Sequence, residues 1–322
     1  MLVDILCLKR KGGGYVQLSE IPSFFVGTKY RFNVICLYEN PILFIKSFLS
    51  FRIKIISCPF TIVFLIPFWI ATLRFLFPEK IIRIIQADEL KVFKEKFNPI
   101  TASLLYKLSY LIRSSQYMVV SSIRKSVPDC VAKSKNVTYF MPIPRYKGGN
   151  RSSSLPSQPT VGVLFRGARS KGFPTFVDCM EEIKQISNSS VKIYVYPDVE
   201  AYNFPSWCSV EYGLGRTHFL NFISSVDIFI NLSEHDAVSF INIEVLDQGV
   251  ILLCRDLSTY DYLPKEGVFK FVNNYSLVSQ LRFIYENIEI INSKIVDWSS
   301  QRNKLSSKYE EDLKTAMHCA DS

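Results

Sequence analysis

The stretch that decides the fold runs from Val226 to Val250 and reads VDIFINLSEHDAVSFINIEVLDQGV. Its first apolar run predicts a buried strand over Val226–Asn231, and a polar loop follows. The helical pattern over Ile241–Asp247 then carries Glu244 back toward that loop, and a second strand is predicted over Val250–Cys254. This alternation of strand, helix and strand predicts neighbouring parallel strands of an α/β sheet.

The same alternation extends through the rest of the chain. Earlier in this half, strands are predicted over Thr160–Phe165 and Val191–Tyr196, and helices over Pro174–Ile186 and Thr217–Ser224. In the first half, strands are predicted at Val3–Leu8, Phe32–Tyr38, Ile81–Ile85 and Tyr117–Ser121, with helical segments ending near Phe25 and covering Thr101–Arg113. A run rich in serine and proline, Arg151–Pro159, separates the two halves. We therefore expect two doubly wound domains, 1–150 and 151–322, facing a cleft.

Charge is distributed unevenly between these halves. The 322-residue chain is 48% apolar and 21% charged, which excludes a disordered or fibrous protein. Its net charge of +9 divides into +14 for residues 1–150 and −5 for residues 151–322. A strongly cationic half favours contact with an anionic membrane surface. Nucleic-acid binding is disfavoured, because the cations alternate with long apolar runs and form no basic face.

The eight cysteines are scattered along the chain and form no Cys-x-x-Cys pair. Cys7, Cys36 and Cys254 lie inside apolar runs, as small buried side chains do in proteins of a reducing compartment. The amino terminus has no basic residues ahead of its apolar run, so we expect a first strand there and no signal peptide.

The longest apolar stretch, Ile55–Leu73, contains no charged residue and continues beyond Arg74 to Phe77. Its length alone is sufficient for a transmembrane helix. Pro59 and Pro67, together with α/β patterns on both sides, argue against a membrane span. A helix in the membrane interface, or one partly buried in the first domain, is favoured instead.

Three cations follow the first strand of the second half: Arg166, Arg169 and Lys171. Ligands of open α/β sheets bind at the carboxyl ends of the strands, so this loop is well placed for a diphosphate. Taken alone, a basic turn of this kind is more often simply solvated.

Two carboxylates, Asp236 and Glu244, lie on either side of the next helix start. One is placed to accept hydrogen bonds from sugar hydroxyls and the other from a ribose diol. Backbone N–H groups of Val238, Ser239 and Phe240 can meet an anion at the helix start. The simpler interpretation is a capping aspartate and a surface glutamate.

These features together resemble the retaining GT-B glycosyltransferases of family 4. Asp236 and Glu244 match the two positions of that family's Glu-x7-Glu motif. Arg166 and Lys171 keep the five-residue separation of the family's diphosphate-binding loop. The resemblance covers about residues 160–315 well and the first half only in outline.

The resemblance implies a role for each of these residues. Arg166 and Lys171 neutralise the diphosphate of a sugar nucleotide as it leaves, and Arg169 in the same loop binds the donor. Asp236 holds hydroxyls of the transferred sugar, and Glu244 holds the nucleotide ribose. Side chains then stabilise the growing negative charge, so neither a metal ion nor another cofactor is expected.

Weaker similarities lie outside these motifs. Val210–Leu220 resembles the segment that precedes the family's equivalent strand. The last helix, expected over about 297–315, resembles the segment that packs back toward the first domain. Gly13 and Gly14 stand where the family has a glycine-rich turn near donor and acceptor, although a plain flexible loop is an equal alternative.

The sequence also departs from the family pattern. The first motif position is Asp236 followed by Ala237, where the family usually has Glu followed by Gly. Gly167 follows the loop arginine instead of preceding it. The histidine that many members have after the strand at Ile81–Ile85 is replaced by the run Gln86-Ala87-Asp88.

The sequence therefore predicts a retaining glycosyltransferase of the hexosyltransferase type, with a UDP- or GDP-sugar as donor. The predicted acceptor is a lipid-linked or membrane-held glycan of surface polysaccharide synthesis, of the O-antigen, capsule or lipopolysaccharide type. The expected location is the cytoplasm, peripheral on the inner face of the cell membrane. The alternative is a non-catalytic GT-B scaffold of a polysaccharide assembly complex, which the missing histidine favours.

Overall fold

The structure is a computed structural model that describes residues 1–7, 18–36, 38–48, 50, 52–56, 81–85, 90, 94, 97–109, 116–143, 155–166, 171–188, 190–196, 203–213, 215–292 and 298–321. It divides into two compact units, one of Met1–Arg145 with Asn303–Ser322 and the other of Tyr146–Arg302. Each unit is built on its own six-stranded parallel sheet.

Ten helices of the described residues connect and cover these strands. In chain order they are α1 (Pro41–Phe48), α2 (Pro99–Ser109), α3 (Asp129–Ala132), α4 (Phe173–Asp178), α5 (Met180–Ile186), α6 (Arg216–Ser224), α7 (Phe240–Asp247), α8 (Asn274–Glu286), α9 (Ile288–Asn292) and α10 (Trp298–Asp321). Short 3₁₀ turns occur at Ile21–Phe25, Ser121–Ser126 and Ser258–Tyr260.

The first sheet has the strand order β2-β1-β3-β4-β5-β6. Its strands are β1 (Leu2–Cys7), β2 (Arg31–Cys36), β3 (Ile53–Ile56), β4 (Ile81–Ile85), β5 (Gln116–Val120) and β6 (Val137–Phe140). The inner strands are buried on both faces, as expected for a parallel sheet covered on both sides, although each includes one charged or polar residue. Tyr309 of α10 packs against Phe24 and Phe140 of this unit, with ring centroids 5.4 and 5.3 Å apart.

The apolar stretch that begins at Ile55 does not start as a helix. Ile55 and Ile56 lie in β3, where they pair in register with Ile5 and Leu6 of β1 and are buried. The prediction of a helix from Ile55 is therefore wrong at these two positions, because an apolar run does not by itself show where a buried strand ends. Residues 57–77 lie outside the described part of the chain. No helix among the described residues combines the length and hydropathy needed to cross a membrane.

The second sheet has the strand order β12-β11-β10-β7-β8-β9. Its strands are β7 (Val161–Phe165), β8 (Val191–Val195), β9 (Cys208–Tyr212), β10 (Ile228–Asn231), β11 (Ile251–Arg255) and β12 (Val268–Phe271). The chain runs from β7 outward to β9 and then returns to place β10 on the other side of β7. The gap between the loops after β7 and β10 is therefore the topological switch point, where open α/β sheets bind their ligands.

The predicted α/β class with doubly wound parallel sheets is confirmed. The predicted strand at Ile81–Ile85 has the observed bounds, and the other predicted strands shift by one or two residues. Pro174–Ile186, predicted as one helix, is two helices that meet at Cys179. Four strands were missed: β3, β6, β9 and β12. They are four or five residues long and several include a charged or polar position, so their hydrophobic pattern is weak.

Six cysteines whose side chains the structure describes form no disulfide bond, in agreement with the expectation from their scatter. Five of them are buried: Cys7, Cys36, Cys179, Cys208 and Cys254. Burial raises the pKa of the Cys179 thiol to about 11 and that of Cys254 to about 12, so both behave as small apolar side chains.

Candidate functional site

Two predicted site residues meet at the switch point of the second sheet. Lys171 lies in the loop after β7, and Asp236 lies in the loop after β10. The Lys171 Nζ atom is 2.9 Å from Asp236 Oδ1. The two side chains are 24% and 20% exposed, so this ion pair is partly shielded yet accessible from solvent. The fold thus brings together two groups that are 65 positions apart in the sequence.

Gly172 is the residue that allows the two loops to approach so closely. Its φ angle is +73°, in the left-handed region that favours glycine. A Cβ atom at this position would lie 1.9 Å from the carbonyl oxygen of Leu232, the residue just after β10. Only glycine fits, and it sets the position of Lys171 beside the β10 loop. Gly172 was not among the predicted site residues, although its place just before the Phe173-Pro174 helix start was an available signal.

A buried tyrosine holds the other oxygen of Asp236. The Tyr260 hydroxyl donates a hydrogen bond to Asp236 Oδ2 at 3.2 Å, and Tyr260 is 1% exposed. Burial, together with the adjacent Asp236 carboxylate, raises the pKa of this hydroxyl, so it remains a protonated donor. Asp236 is therefore held from two sides, by a cation and by a neutral donor. Tyr260 was missed because it follows β11 and has no sequence link to Asp236.

The loop after β10 is fixed to the start of α7 by a buried amide. The side-chain nitrogen of Asn231 donates to Ser239 Oγ at 3.1 Å and to Asn242 Oδ1 at 2.6 Å. Its side-chain oxygen accepts the backbone N–H of Ser233 at 3.1 Å. The Ser239 hydroxyl caps α7 by accepting the backbone N–H of Asn242. This network sets the path of the loop that carries Asp236.

The structure gives Ser239 a different part from the predicted anion donor. Its backbone N–H donates to the hydroxyl of Tyr262 at 3.2 Å, and both groups are buried. The amide of Ser239 is thus used inside the protein, and its side chain serves as the helix cap. The backbone donors of Val238 and Phe240 remain predictions.

Glu244 lies on α7 and is almost buried, with its side chain 11% exposed. Its Oε1 atom is 2.7 Å from the guanidinium of Arg216, whose side chain is 45% exposed. Arg216 is the first residue of α6, which follows β9. No role was predicted for this arginine, which lies in the Val210–Leu220 segment.

Arg166, the remaining described cation of the predicted diphosphate loop, follows β7 directly. Its guanidinium stacks over the ring of Tyr196 at 4.3 Å from the ring centroid. Stacking of this kind holds an arginine in one orientation while its edge stays available for an anion. Arg169, Gly13 and Gly14 lie outside the described residues, as do Gln86 and Asp88.

The far end of α7 is anchored to the start of α10. Asp247 accepts hydrogen bonds from Trp298 Nε1 and Arg302 Nε, each at 2.9 Å. Burial raises the pKa of Asp247 to about 6, and the Arg302 charge opposes that shift. The helix that carries Glu244 is therefore held at both ends. Trp298 and Arg302 lie in the second unit, whereas α10 from Asn303 onward belongs to the first.

Within the described ranges, no three histidine, cysteine, aspartate or glutamate side chains converge as a metal-ligand set would. The charged groups of the site form two cation–carboxylate pairs, Lys171 with Asp236 and Arg216 with Glu244. Cations and hydrogen-bond acceptors side by side suit a ligand that has both negative charge and hydroxyl groups.

No protein-family model and no curated protein matches this chain. Solved structures match it over nearly its whole length. Sucrose-phosphate synthase from Thermosynechococcus elongatus has a TM-score of 0.63 and 11% identity, covering 99% of this chain and 96% of its own. A UDP-forming α,α-trehalose-phosphate synthase from Burkholderia xenovorans has a TM-score of 0.66 and 9% identity, covering 99% of each chain. WaaG, a glycosyltransferase involved in lipopolysaccharide biosynthesis, has a TM-score of 0.56 and 11% identity, covering 100% and 95%.

Identities this low establish the fold alone. The chain has the GT-B fold, with two Rossmann-like doubly wound α/β domains, as these solved glycosyltransferases do.

Proposed function

We propose that this chain is a glycosyltransferase that moves a sugar from a nucleotide-sugar donor to a glycan acceptor. One observation carries the proposal: the Lys171–Asp236 pair lies at the switch point of the second sheet, with Arg216–Glu244 formed by the helices beside it. A nucleotide sugar has the matching chemistry, since its diphosphate is anionic and its sugar and ribose carry hydroxyl donors.

In the proposed reaction, the bond between the sugar C1 and the donor phosphate oxygen breaks as the acceptor hydroxyl attacks. A new bond forms on the same face, and the hydroxyl proton passes to the departing phosphate, so the anomeric configuration is retained. Arg166 and Lys171 stabilise the charge that grows on the diphosphate, with Arg169 as a further donor-binding cation. Asp236 orients the sugar hydroxyls, and the Tyr260 hydroxyl holds Asp236 in place. No metal ion is required in this scheme.

Several fold neighbours support a UDP-linked form of the proposed donor. TarM and a pneumococcal O-GlcNAc transferase, GtfA, were both solved with UDP, and the Burkholderia enzyme is UDP-forming. A donor of the hexosyl type, and retention of configuration, follow from the resemblance of Asp236 and Glu244 to the family 4 motif.

We further propose a lipid-linked or membrane-held acceptor in surface polysaccharide synthesis, of the O-antigen, capsule or lipopolysaccharide type. The net charge of +14 on residues 1–150 and the apolar stretch that extends to Phe77 support contact with an anionic membrane. The protein would then work from the cytoplasm, peripheral on the inner face of the cell membrane. Residues 1–150 would bind the acceptor, and residues 151–322 would bind the donor.

Ligand-induced stabilisation tests the donor proposal. The melting temperature of the purified chain is measured against a panel of UDP-, GDP- and ADP-sugars. A ligand at 100 times its Kd stabilises the folded state by about 2.7 kcal/mol, so one donor class is expected to raise the melting temperature by several degrees. If every member of the panel leaves the melting temperature unchanged at millimolar concentration, the donor proposal is wrong.

A second candidate is a non-catalytic GT-B scaffold of a polysaccharide assembly complex. The observation in its favour is the run Gln86-Ala87-Asp88, which replaces the histidine found in many family 4 members. Transfer or hydrolysis of a nucleotide sugar by the purified protein, lost in Lys171→Ala, would reject the scaffold hypothesis.

A further inference from the structure

The ion pair between Arg216 and Glu244 joins two elements from opposite sides of the switch point. Arg216 opens α6, which follows the edge strand β9, whereas Glu244 lies on α7 after β10. The two helices pack against each other, and the guanidinium lies 2.7 Å from Glu244 Oε1. This pair is separate from the Lys171–Asp236 pair, so the site has one charged pair for each part of a two-part ligand.

The two partners differ sharply in exposure. The Glu244 side chain is 11% exposed, and the Arg216 side chain is 45% exposed. A carboxylate in a nearly buried place pays a desolvation cost, which a guanidinium at hydrogen-bond distance offsets. Because the guanidinium is planar and presents its donors in a fixed fork, it also determines the orientation of the carboxylate plane.

We propose that Arg216 is a positioning residue that orients Glu244 toward the ribose and thereby sets a preference for ribonucleotide over 2′-deoxyribonucleotide donors. The inference rests on the proposed function and deepens it. A carboxylate accepts hydrogen bonds and donates none, so two adjacent ribose hydroxyls are matched to it. An analogue that lacks the 2′-hydroxyl loses one of these hydrogen bonds to the carboxylate, so the site is expected to bind it more weakly than the ribonucleotide.

The position of Arg216 separates this role from direct charge neutralisation. Lys171 and Arg166 already provide cations at the loop after β7, where the diphosphate is proposed to bind. Arg216 instead contacts the carboxylate that the proposed function assigns to the nucleoside. Its contribution is therefore expected to depend on the ribose hydroxyls and on Glu244, not on the number of phosphates.

The test compares matched nucleotides by titration calorimetry. UDP is compared with 2′-deoxy-UDP, GDP with 2′-deoxy-GDP and ADP with 2′-deoxy-ADP, and the pair that binds the wild type is carried forward. The variants are Arg216→Ala, Arg216→Lys, Glu244→Gln and the double variant Arg216→Ala/Glu244→Gln. Arg282→Ala is the matched control, because Arg282 is an exposed arginine on α8 of the same unit.

The wild type is expected to bind the ribonucleotide about tenfold more tightly than its 2′-deoxy analogue. This ratio corresponds to the loss of one hydrogen bond to a charged acceptor. Arg216→Ala and Glu244→Gln are each expected to reduce this ratio to about twofold or less, and the double variant to reduce it no further. Arg216→Lys keeps the positive charge but loses the planar guanidinium with its fixed N–H donors, so an intermediate ratio is expected. Arg282→Ala should leave the ratio unchanged.

Four outcomes would overturn the inference. A ratio unchanged in Arg216→Ala, in a protein with a wild-type melting curve, would show that Arg216 does not position Glu244. If Arg216→Ala weakens the binding of both nucleotides equally, and this effect adds to that of Glu244→Gln, Arg216 contacts the ligand directly. If Glu244→Gln keeps the ratio while Lys171→Ala weakens binding, the donor proposal stands and the ribose assignment falls. If the wild type binds none of the six nucleotides, the proposed function fails with it.

Discussion

Both sheets are parallel and have six strands, but they reverse direction at different places. In the first sheet the chain places β2 on one side of β1 and then returns to place β3 on the other side. The switch point therefore lies between β1 and β3. In the second sheet the chain adds β8 and β9 before it returns, so the switch point lies between β7 and β10. The two α/β units are therefore not copies of one arrangement.

The two sheets also use their charged residues differently. In the first unit, charges lie within the strands: Asp4 of β1 is fully buried and accepts hydrogen bonds from Ser47 Oγ and Asn33 Nδ2. Lys54 of β3 is 5% exposed, and its ammonium donates to the Ser50 carbonyl. In the second unit, the Lys171–Asp236 pair lies in loops at the carboxyl ends of the strands and stays partly exposed.

This difference separates structural charge from charge that is available to a ligand. A charge that is buried inside a sheet affects the stability of the fold and makes that stability depend on pH. A charge that is held in place but still exposed at a switch point can exchange a protein partner for a substrate. The predictions below test that separation.

The largest effect is expected at Lys171. Lys171→Ala removes a cation from the proposed diphosphate site and should lower kcat for sugar transfer by about 100-fold to 1,000-fold. Its melting temperature should change little, because the pair is partly exposed. Lys265→Ala, at an exposed lysine of the same unit, is the control and should retain full activity. Wild-type kcat in Lys171→Ala would show that this pair is only structural.

In the first unit, the buried Lys54 should instead make the free energy of unfolding depend on pH. Burial lowers the pKa of Lys54 from 10.5 to about 8, with Asp4 opposing the shift. Between these values the unfolded chain holds a proton that the folded chain has lost, so stability rises with pH. The contribution amounts to about 2 kcal/mol between pH 8 and pH 10.

Urea denaturation of the wild type and of Lys54→Met at these two pH values measures that contribution by subtraction. The apolar variant should lose this part of the pH dependence and leave nucleotide binding by the second unit unchanged. An identical pH slope in both proteins would contradict the lowered pKa of Lys54.

A smaller effect is expected at Tyr260. Tyr260→Phe keeps the buried ring but removes the hydrogen bond to Asp236 Oδ2, so kcat/KM should fall about tenfold. Tyr275→Phe, at a tyrosine that is 82% exposed, is the control. A kcat/KM equal to that of the wild type in Tyr260→Phe would mean that Lys171 alone positions Asp236.

Much of the second unit was predictable, because its strands are apolar and its polar loops are clearly marked. The predicted β7 and β10 differ from the observed strands by one or two residues at their starts. Lys171, Asp236 and Glu244 were predicted as site residues, and the structure pairs the first two with each other. The first unit was less predictable. Lys54 interrupts the apolar pattern of β3, so the strand was missed and its last two residues were assigned to a helix.

The residues that contact the candidate site residues could not be predicted from the sequence. Tyr260 meets Asp236 across 24 positions, and Arg216 meets Glu244 across the switch point. Nothing local marks either residue, because each depends on which strands become neighbours. Gly172 has a local signal in its place before a helix start, but its strict need for glycine comes from the carbonyl of Leu232 in the loop after β10.

By itself, the sequence determined the α/β class, the uneven charge of the two halves, and which cations and carboxylates are candidates for the site. These follow from periodicity and residue chemistry, which are local properties. Only the tertiary structure decided which cation forms an ion pair with which carboxylate, and which charges are buried within a sheet. Strand order controls both, because it sets the switch point at which distant loops meet.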